Sequence, residues 1–263
     1  MPDDAPAVPG GLYREPARYA LLAQWTAPAD LGYYRRLLGE RPGRLLELGC
    51  GTGRLTLPLS RLADETVGLD NAPEMLAYAH NQATREGAQV EFVEADFRSF
   101  TLSRRFDHIL LPYNALNHVT DDTGMAGLFG AVAGHLAPRG RFLVDTFQPD
   151  LDAFERLRAR RKLLTYLDPT RQQRVTLFEE NDYDPLQRIN RITWRYDLEG
   201  QADWRVDHMD MRILPPDELD GLFERHGFRI EAKFGDYDGT PFGPRSPKQL
   251  IVATPSALSA AGA

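Results

Sequence analysis

Strand-length apolar runs alternate with helical patterns between residues 12 and 150, and this alternation constrains the fold more than any other feature. The strand-like runs are Arg44–Leu48, Glu65–Asp70, Val90–Glu94, Phe106–Leu111 and Arg141–Phe147. Helical patterns lie between them, at 14–25, 30–38, 53–62, 73–86 and 122–136. Because short loops connect these elements, the order predicts an α/β fold with a Rossmann-like, doubly wound and mostly parallel sheet.

The rhythm changes after about residue 151. A helix is predicted at 150–160, and period-two strands follow, as at 192–198 and 204–214. Such alternation is typical of an antiparallel sheet with one face packed against the protein and the other exposed to solvent. A helix at 216–226 and strands at 228–234 and 249–254 then resume the main fold.

We therefore predict one domain over residues 12–255 with an inserted antiparallel β subdomain at about 162–214. Residues 1–11 and 256–263 are rich in small residues and predict a flexible leader and a flexible tail.

Charge and composition exclude several classes of protein. The 31 Lys and Arg residues against 38 Asp and Glu residues leave a net charge of −7, which does not favour a sequence-independent grip on nucleic acid. No apolar run is long enough for a membrane span, and the acidic start is unlike a secretory signal. The single cysteine, Cys50, excludes an internal disulfide framework and a multi-thiolate zinc site. We expect a cytoplasmic protein without a metal.

The segment after the first strand is rich in glycine and opens a helix. Gly49, Gly51 and Gly53 let the backbone turn tightly and let a ligand approach the main chain. Ligands bind at this edge of an open α/β sheet. The spacing is Gly-x-Gly-x-Gly and not the Gly-x-Gly-x-x-Gly of a dinucleotide site. Taken alone, the segment is also consistent with a structural turn.

Two carboxylates follow the next two strands. Asp70 ends the second strand, where it can accept hydrogen bonds from the vicinal hydroxyl groups of a ribose. Asp96 follows the third strand and can accept from an adenine amino group, and Phe97 offers an apolar surface to the ring. Together with the glycines, these residues favour an adenosine-containing ligand.

This combination resembles the class I S-adenosylmethionine-dependent methyltransferase family. The order of elements is similar over about residues 40–150 and 216–254. The resemblance implies S-adenosylmethionine as the cofactor and S-adenosylhomocysteine as its product. It also implies that Gly49, Gly51 and Gly53 pass beneath the methionine part of the cofactor.

The same resemblance implies roles for the residues around the glycines. Asp70 would hold the ribose hydroxyl groups. Met75 or the adjoining Asn71 would flank the adenine, and Asp96 with Phe97 would read its edge. In the family, the residue at the position of Glu47 orients the glycine loop more often than it touches the cofactor.

Candidates on the acceptor side follow the fourth strand, in the polar segment Tyr113–His118. Because a sulfonium methyl group is already activated, the protein mainly aligns the reactants and excludes water, and a base is needed only for a protonated nucleophile. We expect Tyr113 to line the site, Asn114 to accept from the cofactor ammonium group or from a substrate amine, and His118 to take a proton near neutral pH. Alternatively, His118 only begins the next helix. The segment resembles that of small-molecule N-methyltransferases.

Aromatic residues elsewhere in the sequence allow both a functional and a structural interpretation. Tyr13 and Tyr19 precede the first strand, where related enzymes place an aromatic residue over the cofactor, and core packing explains them equally well. In the insertion, Trp194, Tyr196 and Trp204 suit a substrate pocket, a homodimer face or an ordinary packed sheet.

The sequence therefore predicts a cytoplasmic methyltransferase that acts on a small-molecule substrate, at an amine nitrogen, without nucleic acid or membrane partners. An RNA or tRNA methyltransferase on the same fold and a non-catalytic S-adenosylmethionine-binding protein remain as alternatives. The glycine spacing disfavours a nicotinamide-dependent oxidoreductase.

Overall fold

The computed structural model describes residues 11–26, 29–151, 154, 158–168 and 171–256, and only the backbone of residues 24–26. These residues form two compact units. One contains Gly11, Leu12 and the described residues from Pro149 to Ile213, and the other contains Tyr13–Gln148 and the described residues from Leu214 onward. The predicted leader apart from Gly11, the predicted tail beyond residue 256 and part of the helix predicted at 150–160 lie outside the described residues.

The strands of the described residues divide between two sheets. They are β1 (Arg44–Leu48), β2 (Glu65–Asp70), β3 (Glu91–Glu94), β4 (Phe106–Leu111), β5 (Leu136–Phe147), β6 (Arg161–Leu167), β7 (Arg174–Asp184), β8 (Ile189–Leu198), β9 (Gln201–Arg212), β10 (Phe228–Phe234) and β11 (Lys248–Pro255). The larger unit holds a seven-stranded sheet in the order β10-β11-β5-β4-β1-β2-β3. The smaller unit holds a four-stranded sheet in the order β6-β7-β8-β9.

Parallel pairing in the larger sheet places the carboxyl ends of its first five strands at one edge. β1 pairs in parallel with β2 and β4, β2 with β3, and β4 with β5. β11 runs antiparallel to both β5 and β10. The carboxyl ends of β1 to β5 therefore lie along one edge, which is where an open α/β sheet binds its ligands.

Six helices of the larger unit are described in full or in backbone, and they pack around its sheet. They are α1 (Pro16–Thr26), α2 (Asp30–Leu38), α3 (Thr56–Ser60), α4 (Pro73–Glu86), α5 (Asp122–His135) and α6 (Pro216–Arg225). Short 3₁₀ turns lie at Gly11–Arg14 and Ala115–His118.

Two separate hydrophobic clusters follow from the alternation of side chains along the strands. In β1, Leu46 and Leu48 pack into one cluster with residues of α5 and α6. Leu45 packs into the other, with residues of α2 and α3. Because successive residues of a strand point to opposite faces, the sheet is buried on both faces. Glu47 shares the side of Leu45, which faces α2 and α3.

The smaller unit is an antiparallel sheet throughout. β6 pairs with β7, β7 with β8, and β8 with β9, all antiparallel. A mostly parallel sheet together with a separate antiparallel sheet confirms the predicted fold class. No described helix has the length and apolarity to cross a membrane.

Candidate active site

The glycine-rich loop after β1 presents bare backbone at the ligand edge of the sheet. Gly49, Gly51 and Gly53 have φ angles of 66°, 54° and 78°, a left-handed conformation that glycine adopts without steric cost. A Cβ atom added at Gly49 would lie 3.7 Å from Cβ of Ala115, and one added at Gly51 would lie 3.8 Å from Cε1 of Tyr19. The loop backbone therefore faces Tyr19 and Ala115.

Asp70 ends β2 and binds this loop from the neighbouring strand. Its Oδ2 accepts a hydrogen bond from the backbone N–H of Gly51 at 2.8 Å, and its Oδ1 accepts one from Ala72 at 2.9 Å. Burial raises the pKa of Asp70, although the backbone hydrogen bonds act in the opposite direction. Each carboxylate oxygen keeps a further lone pair, so Asp70 can still accept from a vicinal diol.

Asn71 and Met75 flank the same strand end in different environments. Asn71 is exposed directly after Asp70, and Met75 is buried in the first turn of α4. A Cβ atom added at Gly53 would lie 3.4 Å from Cβ of Ala79. Close packing between the glycine loop and α4 therefore brings Met75 to this part of the edge.

Asp96 and Phe97 follow β3, and Arg98 holds the carboxylate. The Arg98 backbone N–H donates to Oδ1 of Asp96 at 2.8 Å, and its guanidinium Nη2 donates to Oδ2 at 2.6 Å. Burial would raise the pKa of Asp96, but the bonds from Arg98 outweigh it and lower the pKa below its ordinary value. Cε1 of Phe97 lies 3.9 Å from the Cβ position of Gly49, so a fixed anion and an aromatic ring border the loop.

Glu47 lies beneath the loop and is 3% exposed. Its Oε2 accepts a hydrogen bond from the hydroxyl group of Thr56 at 2.6 Å. Burial raises the pKa of Glu47 to about 8, against the opposing effects of Thr56 and Arg54. Glu47 therefore joins the end of β1 to the start of α3, and it is protonated over most of the physiological pH range.

Arg54 connects the glycine loop to α2. Its guanidinium group donates to both carboxylate oxygens of Asp30, at 2.8 and 2.5 Å, and Asp30 is fully buried. The same guanidinium carbon lies 5.4 Å from the ring centroid of Tyr113. Sequence reasoning missed Arg54 and Asp30, because they are 24 residues apart and pair only once the chain is folded. It also missed Arg98, although its partner Asp96 is only two residues away.

Tyr13, Tyr19 and His118 form an aromatic cluster. The ring centroids of Tyr13 and Tyr19 lie 5.7 Å apart, and the hydroxyl group of Tyr13 lies 3.2 Å from Nε2 of His118. Burial raises the pKa of both tyrosines, and the nearby Tyr113 and Asp70 raise it further. Burial lowers the pKa of His118 to about 4, so the imidazole ring is neutral at pH 7.

The turn after β4 leaves two buried polar atoms without partners. Tyr113 and Asn114 have φ angles of 55° and 61°, which non-glycine residues adopt rarely and which recur at active sites. Oδ1 of Asn114 and Nδ1 of His118 are buried and make no hydrogen bond. Buried polar atoms are normally satisfied, so this turn has hydrogen-bonding capacity for a ligand.

These features fit an S-adenosyl compound. Gly49, Gly51 and Gly53 carry no side chain that would block a ligand, and the Asp70 carboxylate suits a ribose diol. Among the residues that the structure describes, no group of three His, Cys, Asp or Glu side chains is placed to hold a metal ion.

Curated proteins similar to this chain are methyltransferases. The putative methyltransferase YqeM of Bacillus subtilis is 24% identical over 255 residues, which cover 93% of this chain and 95% of that protein. The cypemycin N-terminal methyltransferase of Streptomyces sp is 25% identical, with 89% and 93% covered. The ubiquinone biosynthesis O-methyltransferase of Nitrobacter winogradskyi is 30% identical over 203 residues, with 77% and 62% covered.

Solved structures share the fold. An S-adenosylmethionine-dependent methyltransferase from Clostridium acetobutylicum superposes with a TM-score of 0.76 at 17% identity, covering 92% of this chain and 99% of that chain. The sugar N-methyltransferase KedS8 from Streptoalloteichus sp gives a TM-score of 0.66 at 20% identity, with 89% and 92% covered. The family model described as "Methyltransferase domain" matches residues 45–140, which contain the glycine loop, Asp70 and Asp96. These matches identify a methyltransferase domain in this chain, and its fold is that of the S-adenosylmethionine-dependent methyltransferase from Clostridium acetobutylicum.

Proposed function

We propose that this methyltransferase transfers a methyl group to an amine nitrogen of a small molecule. The observation that carries the proposal is the unpaired, buried Oδ1 of Asn114 beside a neutral His118. An amide oxygen only accepts hydrogen bonds, so it favours a ligand group that carries hydrogen. A neutral amine can donate one N–H to Asn114 and keep its lone pair for the methyl group.

The weak basicity of His118 favours an amine acceptor over an alcohol acceptor. An alcohol must lose its proton as it attacks, and catalysis by a base is efficient only when the pKa of the base lies near the working pH. With a pKa of about 4, His118 is a weak base at neutral pH. An amine attacks in its neutral form, after losing its extra proton to water. The transfer forms an N–CH3 bond and breaks the S–CH3 bond, so that S-adenosylhomocysteine leaves as a neutral thioether and the product as an ammonium ion. His118 then orients the acceptor by hydrogen bonding.

S-adenosylmethionine supplies an electrophilic methyl group when bound. The chain then has to align donor and acceptor and keep water out. In this proposal, Asp70 and the glycine loop fix the cofactor, and Tyr13 and Tyr19 shield the transfer.

Several relatives support the nitrogen acceptor by name, including the cypemycin N-terminal methyltransferase and the sugar N-methyltransferase KedS8. The ubiquinone O-methyltransferases point to oxygen instead. The net charge of −7 weighs against an RNA acceptor. We also propose a cytoplasmic location. We further propose a homodimer through the four-stranded sheet β6–β9, and sedimentation would test whether the chain is dimeric.

The test uses S-adenosylmethionine with a deuterated methyl group and pairs of acceptors that differ only in one group, an amine against the matching alcohol. The pairs cover amino sugars, amino acids and short peptides. We expect a labelled N-methyl product by mass spectrometry. Asn114→Ala should lower kcat about 10- to 100-fold, since a buried polar group that loses its partner costs about 1–3 kcal/mol. Asn81→Ala, on the exposed side of α4, should not lower it.

Label on the alcohols alone, or on added RNA alone, would contradict the proposal. Binding of S-adenosylhomocysteine without turnover of any acceptor would instead favour the non-catalytic alternative.

A further inference from the structure

Three hydrogen bonds close a ring between β5 and the turn after β4. The hydroxyl group of Thr146 donates to Oδ1 of Asn117 at 2.5 Å. The backbone N–H of Asn117 donates to the carbonyl oxygen of Asn114 at 3.0 Å, and the backbone N–H of Asn114 donates to the carbonyl oxygen of Asp145 at 2.9 Å. The ring therefore satisfies both backbone polar groups of Asn114 and leaves its side-chain oxygen unpaired.

Water cannot replace a broken bond in this ring. Asn117, Asp145 and Thr146 are all 0% exposed. Removing one partner of a buried hydrogen bond leaves the other unsatisfied, which costs more than the bond itself contributes. The only side chain-to-side chain contact in the ring is the bond between Thr146 and Asn117.

β5 is itself held firmly at this point. The hydroxyl group of Tyr237 donates to Oδ2 of Asp145, and the ammonium group of Lys248 lies 3.3 Å from Oδ1 of the same residue. β5 is thus the fixed part of the hydrogen-bond ring, and the turn after β4, with the strained Tyr113 and Asn114, is the other part. Strained backbone persists where the surrounding structure over-determines it.

We propose that Thr146 is a positioning residue for methyl transfer, which acts through Asn117 to hold Asn114 and His118 at the acceptor. This inference rests on the proposed function of Asn114 and His118. Thr146 touches neither acceptor nor cofactor in this account. Its contribution is the geometry of the turn, and misplacement by about 1 Å can cost a factor of about 100 in rate.

Two substitutions at Thr146 separate hydrogen bonding from packing. Thr146→Val keeps the shape of the side chain and loses the hydroxyl group, whereas Thr146→Ser keeps the hydroxyl group and loses a methyl group. Thr66 on β2 provides the matched control, because it is 3% exposed and its hydroxyl group has no partner. Thr66→Val therefore makes the same chemical change in a buried strand without breaking a bond.

The experiment measures kcat, KM and the dissociation constant of S-adenosylhomocysteine for the wild type and the three variants. Hydrogen exchange of the peptide that spans residues 112–119 is measured in parallel. We expect Thr146→Val to lower kcat about 10- to 100-fold, with the dissociation constant unchanged within about twofold. It should also exchange faster in this peptide. Thr146→Ser and Thr66→Val should match the wild type in all measurements.

If Thr146 acts by packing, Thr146→Ser should lower kcat more than Thr146→Val, which would overturn the proposal. Equal kcat and hydrogen exchange in Thr146→Val and Thr66→Val would also overturn it. The acceptor in these assays is whichever class the wild type methylates. If only alcohols react, the proposed amine specificity fails, but the comparison of variants still decides the role of Thr146. If no acceptor reacts, unchanged hydrogen exchange in Thr146→Val overturns the inference by itself.

Discussion

At the level of single residues, Glu47 links the site to pH. Burial raises its pKa to about 8 in the folded chain, whereas an unfolded glutamate titrates near about 4.3. Between these two values the folded chain binds one proton more than the unfolded chain at this residue. The free energy of unfolding therefore falls as pH rises through this window.

Glu47→Gln removes this titration and keeps the shape of the side chain. We expect the melting temperature of the variant to depend less on pH than that of the wild type between about pH 4.3 and 8. Thermal melts at intervals of pH across the window measure this. Glu224→Gln, at an exposed position of α6, should leave the wild-type dependence in place. A parallel decline in wild type and Glu47→Gln would contradict the assignment.

The site residues that the sequence could indicate are those with local signals. Gly49 follows β1, Asp70 ends β2 and Asp96 lies two residues after β3. Parallel pairing brings such positions together. Arg54 gave no such signal, because its partner Asp30 lies 24 residues earlier. The low pKa of His118 follows from burial, which cannot be seen in a segment of mixed polarity.

At the level of elements, one ion pair ties α2 to the glycine loop. The side chain of Asp30 is 0% exposed and that of Arg54 is 26% exposed. The two parallel hydrogen bonds of this pair fix orientation as well as distance. Movement of α2 should therefore disturb the glycine loop, at which we propose that the cofactor binds.

Asp30→Asn leaves the Arg54 guanidinium partly buried without its counter-ion. Breaking a buried pair in this way costs about 3–5 kcal/mol, and the partial exposure of Arg54 places the expected loss near the lower end. Glu86→Gln is the matched control, since Glu86 pairs with Arg61 at side-chain exposures of 44% and 59%. An exposed pair contributes about 0–1 kcal/mol. Chemical denaturation measures both losses, and equal losses would contradict a structural role of the Arg54 pair.

Most element boundaries followed from the apolar pattern, and the exceptions have physical causes. β2, β4 and β10 lie where the sequence predicts them. α3 begins only at Thr56, because the left-handed glycines extend the loop before it. β5 begins at Leu136 and not at Arg141, because Leu136 pairs with Phe106 of β4. Such pairing depends on a strand distant in the sequence.

Parts of the smaller unit were harder to predict. The alternation indicated β8 and β9, but β6 and β7 were not delimited. In β7, Glu179 and Glu180 adjoin and are equally half-buried, so the period of two is interrupted there. Tertiary pairing defines these strands more than local pattern does.

At the level of the whole molecule, the methyltransferase assignment and the candidate site both imply the same cofactor, S-adenosylmethionine. A ligand at 100 times its dissociation constant stabilises the folded chain by about 2.7 kcal/mol. For a chain of this size, that corresponds to a rise in melting temperature of about 5–10 °C. NAD should give no rise, because the glycine spacing differs from that of a dinucleotide site.

Thermal melting is the most direct test of the proposed cofactor site. The melting temperature is measured with S-adenosylhomocysteine, S-adenosylmethionine and NAD, for the wild type and the variants Asp70→Asn and Asp107→Asn. Asp107 lies at the start of β4 and accepts a hydrogen bond from the backbone of Arg44 at 2.8 Å, so it matches Asp70 at the opposite edge of the sheet. We predict a rise with the two sulfur compounds in the wild type and Asp107→Asn, and its loss in Asp70→Asn. A rise with NAD alone, or an undiminished rise in Asp70→Asn, would contradict the account.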